Sequence, residues 1–229
     1  RRLQIAIIGA GMSGLALANG LLKDPAGRFD VHLCERDSLA FDSERGGYHI
    51  RINANGLSAL QNISDRDLWN SLRDVWSGDD ARAPAMVDPN FNIRLRLADL
   101  KLYPASRPVS RHGLRDALLR PLLDQKRVHL GHRLERFEYG AGDQGGVLLY
   151  FQDQPAQHAD LLIAADGSNS LVNKLVGLNN KIKLQEWTLV QARGAIDSTV
   201  RAKLPRTLLD SGSVVALGGT KRSAFASVY

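Results

Sequence analysis

The feature that most constrains this chain is Gly9-Ala10-Gly11-Met12-Ser13-Gly14, a G-x-G-x-x-G run between an aliphatic segment and an apolar helical one. The aliphatic LQIAII at 3–8 stops abruptly at glycine, as a buried parallel strand does. Residues 12–23 read as a helix, with Leu15, Leu17, Leu21 and Leu22 among small alanines, closed by Asp24, Pro25 and Gly27. FDVHLC at 29–34 makes a second strand. This context turns a weak motif into a Rossmann-type βαβ unit. Gly9 is expected to permit the tight turn, Gly11 to let the backbone approach a pyrophosphate, and Gly14 to let the helix pack closely. Met12 and Ser13 open the helix whose N–H groups and positive dipole end would meet the phosphates. A glycine turn with no ligand is the plainer alternative, and the strand–turn–helix context argues against it.

Glu35 ends the second strand, 21 residues past Gly14. A carboxylate there can accept hydrogen bonds from both ribose hydroxyls of an adenosine and would repel a 2′-phosphate. The expected dinucleotide is FAD or NAD rather than NADP. Arg36 beside it either covers the adenine or is simply solvated. The start also imitates a signal peptide, with Arg1 and Arg2 before an apolar stretch. The spaced glycines and Glu35 explain the segment better, and the absence of an initiator Met suggests a chain trimmed at its start.

The 229 residues, 44% of them hydrophobic, suffice for one or two domains with a sizeable core. The net charge of +6 is spread along the chain without a basic block or an interleaved aromatic motif, so no nucleic-acid partner is expected. No stretch is apolar enough to span a bilayer. The single cysteine, Cys34, excludes an internal disulfide and reads as a buried strand residue. His129 and His132 have a metal-like spacing, but on a strand they would face opposite sides, and no third ligand group accompanies them.

Further along, residues 35–49 read as a loop and 55–76 as helical with a break near Ser64 and Asp65. Residues 77–84 form a linker, and 85–103 show strand-like alternation, clearest in FNIRLRL. RHGLRDALLRPLLD at 111–124 reads as a helix with Leu114, Leu118 and Leu122 on one face, kinked or ended early by Pro121. Two or three strands follow over 127–151, joined through GAGDQGG. DLLIAA at 160–165 is another buried strand, and 180–229 reads as strand-rich with a turn at 218–219. The alternation points to α/β with a parallel sheet and a second, β-rich layer entered more than once.

Four segments, in order, resemble the aromatic-hydroxylase class of FAD-dependent monooxygenases, the class A, para-hydroxybenzoate hydroxylase-like family. They are IAIIGAGMSGLALANGLL with CER at 34–36, RGGYHIRINANGLSAL at 45–60, VSRHGLRDALL at 109–119 with the pattern R-x-x-L-x-x-x-L, and DLLIAADGSNSLV at 160–172 with its Asp-Gly motif. The resemblance implies a Rossmann-type FAD-binding domain with an interleaved β-rich substrate domain, incomplete at the C-terminus. FAD-binding segments would be 1–76 and 105–178, with substrate-domain segments at 77–104 and 179–229. It implies that Gly9, Gly11 and Gly14 hold the FAD pyrophosphate and Glu35 the ribose. Arg111 would reach the phosphate region, Asp166 would support FAD and the pyridine-nucleotide region, and Gly47 and Tyr48 would lie beside the flavin. Arg111 could instead be a surface arginine at a helix start, and Asp166 an N-cap.

The implied activity is that of a cytoplasmic enzyme using NADH or NADPH and O2. It would hydroxylate or epoxidise an aromatic or polycyclic small molecule through a flavin C4a-hydroperoxide. The chemistry belongs to the cofactor, so no general acid or base is assigned. Two departures stand out: Asn173 replaces an arginine usual after the Asp-Gly motif, and the family's later Gly-Asp motif is missing. A fragment of a longer enzyme, or a truncated, non-catalytic dinucleotide-binding module, are both open. An NAD-dependent dehydrogenase would need no Asp-Gly motif. A flavin-dependent halogenase would carry W-x-W-x-I-P, which Trp69, Trp76 and Trp187 do not make.

Overall fold

The structure, a computed structural model, describes residues 1–38, 49–76, 84–100, 106–140, 145–178, 194–218 and 222–228. The opening unit forms as its sequence dictates: β1 is Leu3–Ile8, α1 Met12–Leu22 and β2 Phe29–Glu35. With β3 (His49–Ile52) pairing β6 (Arg107–Ser110) as a separate ribbon, the main sheet takes β7 (Val128–Leu130) and β11 (Leu161–Ala164) in the order β11-β1-β2-β7. All its pairings are parallel. The carboxyl ends of the four strands therefore share one edge, where ligands of open α/β sheets bind.

Strand side chains alternate between faces. Ala6, Ile8 and Cys34 pack against Leu134, Val147, Leu149, Phe151 and Ala159. Those residues come from an antiparallel sheet of β8 (Leu134–Tyr139), β9 (Val147–Phe151) and β10 (Gln154–Ala159). Elsewhere in the same unit α1 packs on β1 and β2, and α4 (Arg111–Asp124) packs on α1. Asn19 of α1 is buried, and its amide donates to the Leu15 and Leu118 carbonyls, both at 2.8 Å. That spends both amide protons and pins α4 to α1.

Leu114, Leu118 and Leu122, on one face of the helix, are buried, but α4 runs through Pro121 to Asp124 instead of ending early. Proline removes one intrahelical donor; here Leu119 and Leu122 on either side are buried to within 1% exposure, and that packing holds the last turn. α2 (Ala54–Ile63) and α3 (Arg66–Asp74) divide at Ser64-Asp65. The Asp65 carboxylate accepts from the Leu68 N–H at 2.8 Å, an N-cap that starts the second helix.

The chain divides into two units. The first comprises 1–50, 55–76 and 109–180; the second 51–54, 77–108 and 181–229. In the second, β4 (Ala85–Val87) pairs with β5 (Ile93–Arg96) and, in parallel, with β12 (Ser213–Leu217), which pairs with β13 (Ser223–Ser227). The early excursion and the tail thus complete one sheet, with Ala85, Val87 and Val214 packed on Leu208.

Four expectations need correction. Leu97–Leu100 is a 3₁₀ turn, so the strand alternation ends at Arg96. The tail contains α6 (Ser198–Lys203), capped by Asp197, and α7 (Arg206–Ser211), closed by Gly212 at φ +68°. These capping residues were the signal for helix. β10 was missed because QPAQHA is too polar to read as a strand. β11 is an edge strand with Leu161 43% exposed, rather than a buried one.

Candidate dinucleotide site

At the carboxyl edge of the parallel sheet, the fingerprint turn is fixed by its neighbours. The Gly9 N–H donates to the Cys34 carbonyl at 2.9 Å, and the Ala165 N–H to that of Ile8 at 2.8 Å. Gly9 has φ +106°, and a Cβ there would lie 2.4 Å from the Ala165 carbonyl oxygen. A Cβ on Gly14 would lie 2.1 Å from the Gly9 carbonyl oxygen. Both positions demand glycine for packing alone. Gly11 differs: its φ is −75°, and a Cβ would meet nothing within 4 Å. Here glycine answers to no protein neighbour, and the open space beside the backbone suits a phosphate.

Gly11 is the N-cap of α1 and offers no side chain to the helix N-terminus. Met12 is half-buried and Ser13 exposed in the first turn. The unpaired N–H groups there and the helix dipole make a ready anion site.

Glu35 is buried to 9% exposure. Its Oε2 accepts from the Ala10 N–H at 2.9 Å and its Oε1 from the Asp37 N–H at 3.1 Å. Each oxygen keeps acceptor capacity, so ribose hydroxyls remain a chemically sound match. Arg36 is exposed.

The Asp-Gly motif reaches the same edge, since Ala165 lies against Gly9 and Gly14 of the fingerprint. Asp166 Oδ2 accepts from the N–H groups of Leu171 at 2.7 Å and Val172 at 3.3 Å, at the start of α5 (Leu171–Leu175). Ser170 is the N-cap proper, accepting from the Asn173 N–H at 3.0 Å. Asp166 therefore does serve the helix start, with one oxygen. The other, Oδ1, is buried without a hydrogen-bond partner. Leaving such an acceptor unmet costs about 1–3 kcal/mol, so a ligand hydroxyl fits there. Beside it lies a cleft of about 270 Å³ lined by Ala164, Asp166, Gly167, Asn173, Val176 and Leu178. The open backbone at Gly11 and the orphaned oxygen of Asp166 together fit a dinucleotide bearing phosphates and hydroxyls.

Arg111 opens α4, half-buried, and its charge acts on Arg115 one turn later. Arg115 itself went unnoticed in the sequence. Its Nε–H donates to the Ala10 carbonyl at 3.0 Å. The i, i+4 spacing from Arg111 was the available signal, since it puts both on one helix face. Gly47 and Tyr48 lie outside the described residues.

The histidine expectation is corrected. His129 and His132 do not diverge; their ring centroids are 5.3 Å apart, because the strand ends at Leu130 and Gly131 turns the chain at φ +70°. His32 Nδ1 and His129 Nε2 share a hydrogen bond of 2.9 Å. Burial lowers the pKa of both rings. Among the described residues no group of three or more His, Cys, Asp or Glu could hold a metal ion. Cys34 is buried, and burial raises its thiol to about 12.

No family model matches the chain. Among curated proteins, the FAD-dependent monooxygenase tazP of Aspergillus terreus is 27% identical over 190 residues, 77% of this chain and 45% of its own length. The 6-hydroxynicotinate 3-monooxygenase of Bordetella bronchiseptica is 31% identical over 217 residues, 92% of this chain and 50% of its own. The chain thus spans about half the length of the curated relatives it matches. Among solved structures, Klebsiella pneumoniae HpxO complexed with FAD and uric acid is 27% identical with a TM-score of 0.57, covering 75% of this chain and 41% of that one. A solved protein from Photorhabdus luminescens, described as FAD-containing, shares the fold, with a TM-score of 0.74 at 23% identity over 98% of this chain and 55% of that one. Over the residues matched, the chain's relatives and solved neighbours are FAD-dependent monooxygenases, and the chain is similar to the aromatic-hydroxylase class of them.

Proposed function

We propose that the chain is the flavin-binding part of a monooxygenase that uses NADH or NADPH and O2 to hydroxylate or epoxidise an aromatic or polycyclic small molecule. The observation that carries this reading is the meeting of three groups at one sheet edge: open backbone at Gly11, the buried Glu35 carboxylate, and the unpaired Oδ1 of Asp166. Gly9, Gly11, Met12, Ser13 and Gly14 would hold the FAD pyrophosphate through helix-terminal N–H groups. Glu35 would take the adenosine ribose, and Asp166 a cofactor hydroxyl. Arg111 would meet the phosphates with its guanidinium fork. Arg36 would lie over the adenine, and Gly47 and Tyr48 beside the flavin. The first unit, centred on segments 1–76 and 105–178, would be the FAD-binding domain; 77–104 and 179–229 would belong to the substrate domain.

The redox chemistry, electron uptake from reduced nicotinamide and transfer to dioxygen, is what FAD supplies when bound. This chain's residues bind and orient. Asn173, lining the cleft with Asp166, would meet a nicotinamide nucleotide by neutral hydrogen bonds in place of the arginine that the family resemblance implies there. A cytoplasmic location, with its supply of reduced nicotinamide, goes with this reading; among the described residues no helix is long and apolar enough to cross a membrane.

The test is oxidation of NADH and of NADPH by the FAD-loaded protein, with and without simple phenols and N-heteroaromatics. Stimulation of oxidation by one such compound, with oxygenated product, is expected. FAD-loaded protein that oxidises neither nucleotide, with any of them present, would reduce the chain to a dinucleotide-binding module.

A further inference from the structure

The turn between Gly9 and Gly11 is gripped from two sides. Ala10 is fully buried; its N–H donates to Glu35 Oε2 and its carbonyl accepts from Arg115 Nε–H. The second contact matters for the site. The Ala10 carbonyl and the Gly11 N–H belong to one planar trans peptide, so holding the carbonyl fixes the direction of that N–H, opposite to Arg115. Gly11 is the residue with open space beside it. We infer that Arg115 is a positioning residue of the dinucleotide site, acting through the Ala10–Gly11 peptide to aim the Gly11 N–H at the cofactor pyrophosphate. The inference rests on the flavin reading above.

Arg115 is itself held in place. Asn19 ties α1 to the Leu118 carbonyl, within one turn of Arg115 on α4. Burial, the largest effect, weakens the Arg115 cation, as the Arg111 charge does too, while the negative charges of Glu35 and Asp37 favour it. An arginine fixed by a pinned helix and drawn toward two carboxylates gives a rigid donor, more so than a flexible ammonium would. Arg111 and Arg115 then divide the work on one helix face: the first meets the ligand, the second shapes the loop that meets it.

Three measurements on Arg115→Met and Arg115→Lys test this: the Kd for FAD, thermal melting of the FAD-free protein, and amide hydrogen exchange of residues 9–15 without FAD. Losing a charged hydrogen bond predicts FAD affinity about tenfold weaker for Arg115→Met. Exchange over 9–15 should be faster, and melting somewhat lower, since the buried Ala10 carbonyl loses its side-chain donor in the FAD-free protein too. Arg115→Lys, whose ammonium can donate to the same carbonyl, should recover most of the affinity. Wild-type affinity and exchange in Arg115→Met would overturn the inference. So would a shared fall in melting for both variants with FAD affinity unchanged, which would mark a purely structural arginine. If the wild-type chain bound no FAD, the flavin reading would fall, while the exchange data would still decide whether Arg115 holds the turn.

Discussion

At the turn after β1, a Cβ on Gly14 would stand 2.1 Å from one carbonyl oxygen and a Cβ on Gly9 2.4 Å from another, while in the β13-β12-β4-β5 sheet Phe225 is 58% exposed and Leu95 38%. In the first region backbone approaches backbone, and only one residue type satisfies each place. In the second, one face carries the packing, through Ala85, Val87, Val214 and Leu208. Function that depends on the first region should be brittle to single atoms. The second should lose stability in proportion to the apolar volume removed, without touching dinucleotide binding.

The largest break should come from Gly14→Val. The added atoms collide with the Gly9 carbonyl oxygen, in a turn whose Gly9 N–H is bonded to the Cys34 carbonyl, so a loss above about 3 kcal/mol is expected in urea unfolding. Leu208→Ala sharpens the other side of the comparison. Removing a buried leucine costs about 2–5 kcal/mol once the residual cavity is counted. FAD affinity of the folded fraction should stay at the wild-type value; a parallel fall in affinity would show that the second region shapes the site.

A smaller effect comes from pH. Burial lowers the pKa of His32 and His129 below the ordinary 6.5, so the unfolded chain binds more protons than the folded one between the folded-state values and 6.5. Stability is unaffected by the pair above that window, falls as pH drops through it, and carries the full penalty below it. Urea midpoints at pH 8 and pH 5 should differ, and His129→Gln should narrow the gap. An unchanged gap would remove the pair from the acid response.

Much of the site was legible because its demands are local. The aliphatic run, the spaced glycines and Glu35 lie within 35 residues and specify β1, the turn, α1 and β2 directly. The Asp-Gly motif was legible as a motif, but not its geometry: nothing in the sequence says that one Asp166 oxygen caps a helix while the other stays unpaired. Arg115 was hidden because its partner, the Ala10 carbonyl, is 105 positions away and is backbone, invisible to any pattern of side chains. The meeting of His129 and His132 was hidden by one glycine at positive φ, which ended a strand that alternation alone would have continued. β10 was hidden by polar residues on an edge strand, where hydrophobic alternation is not required.

The central claim is that the space beside Gly11 is a phosphate site rather than an incidental gap. The most direct measurement is an FAD titration of the wild-type chain beside Gly11→Val, with melting temperatures of both FAD-free proteins. Valine suits φ −75° and meets no protein atom at its Cβ. The account predicts that the wild type takes up FAD and shows flavin absorbance after desalting, while Gly11→Val melts like the wild type and loses the flavin. Equal retention by both proteins, or none by either, would contradict it.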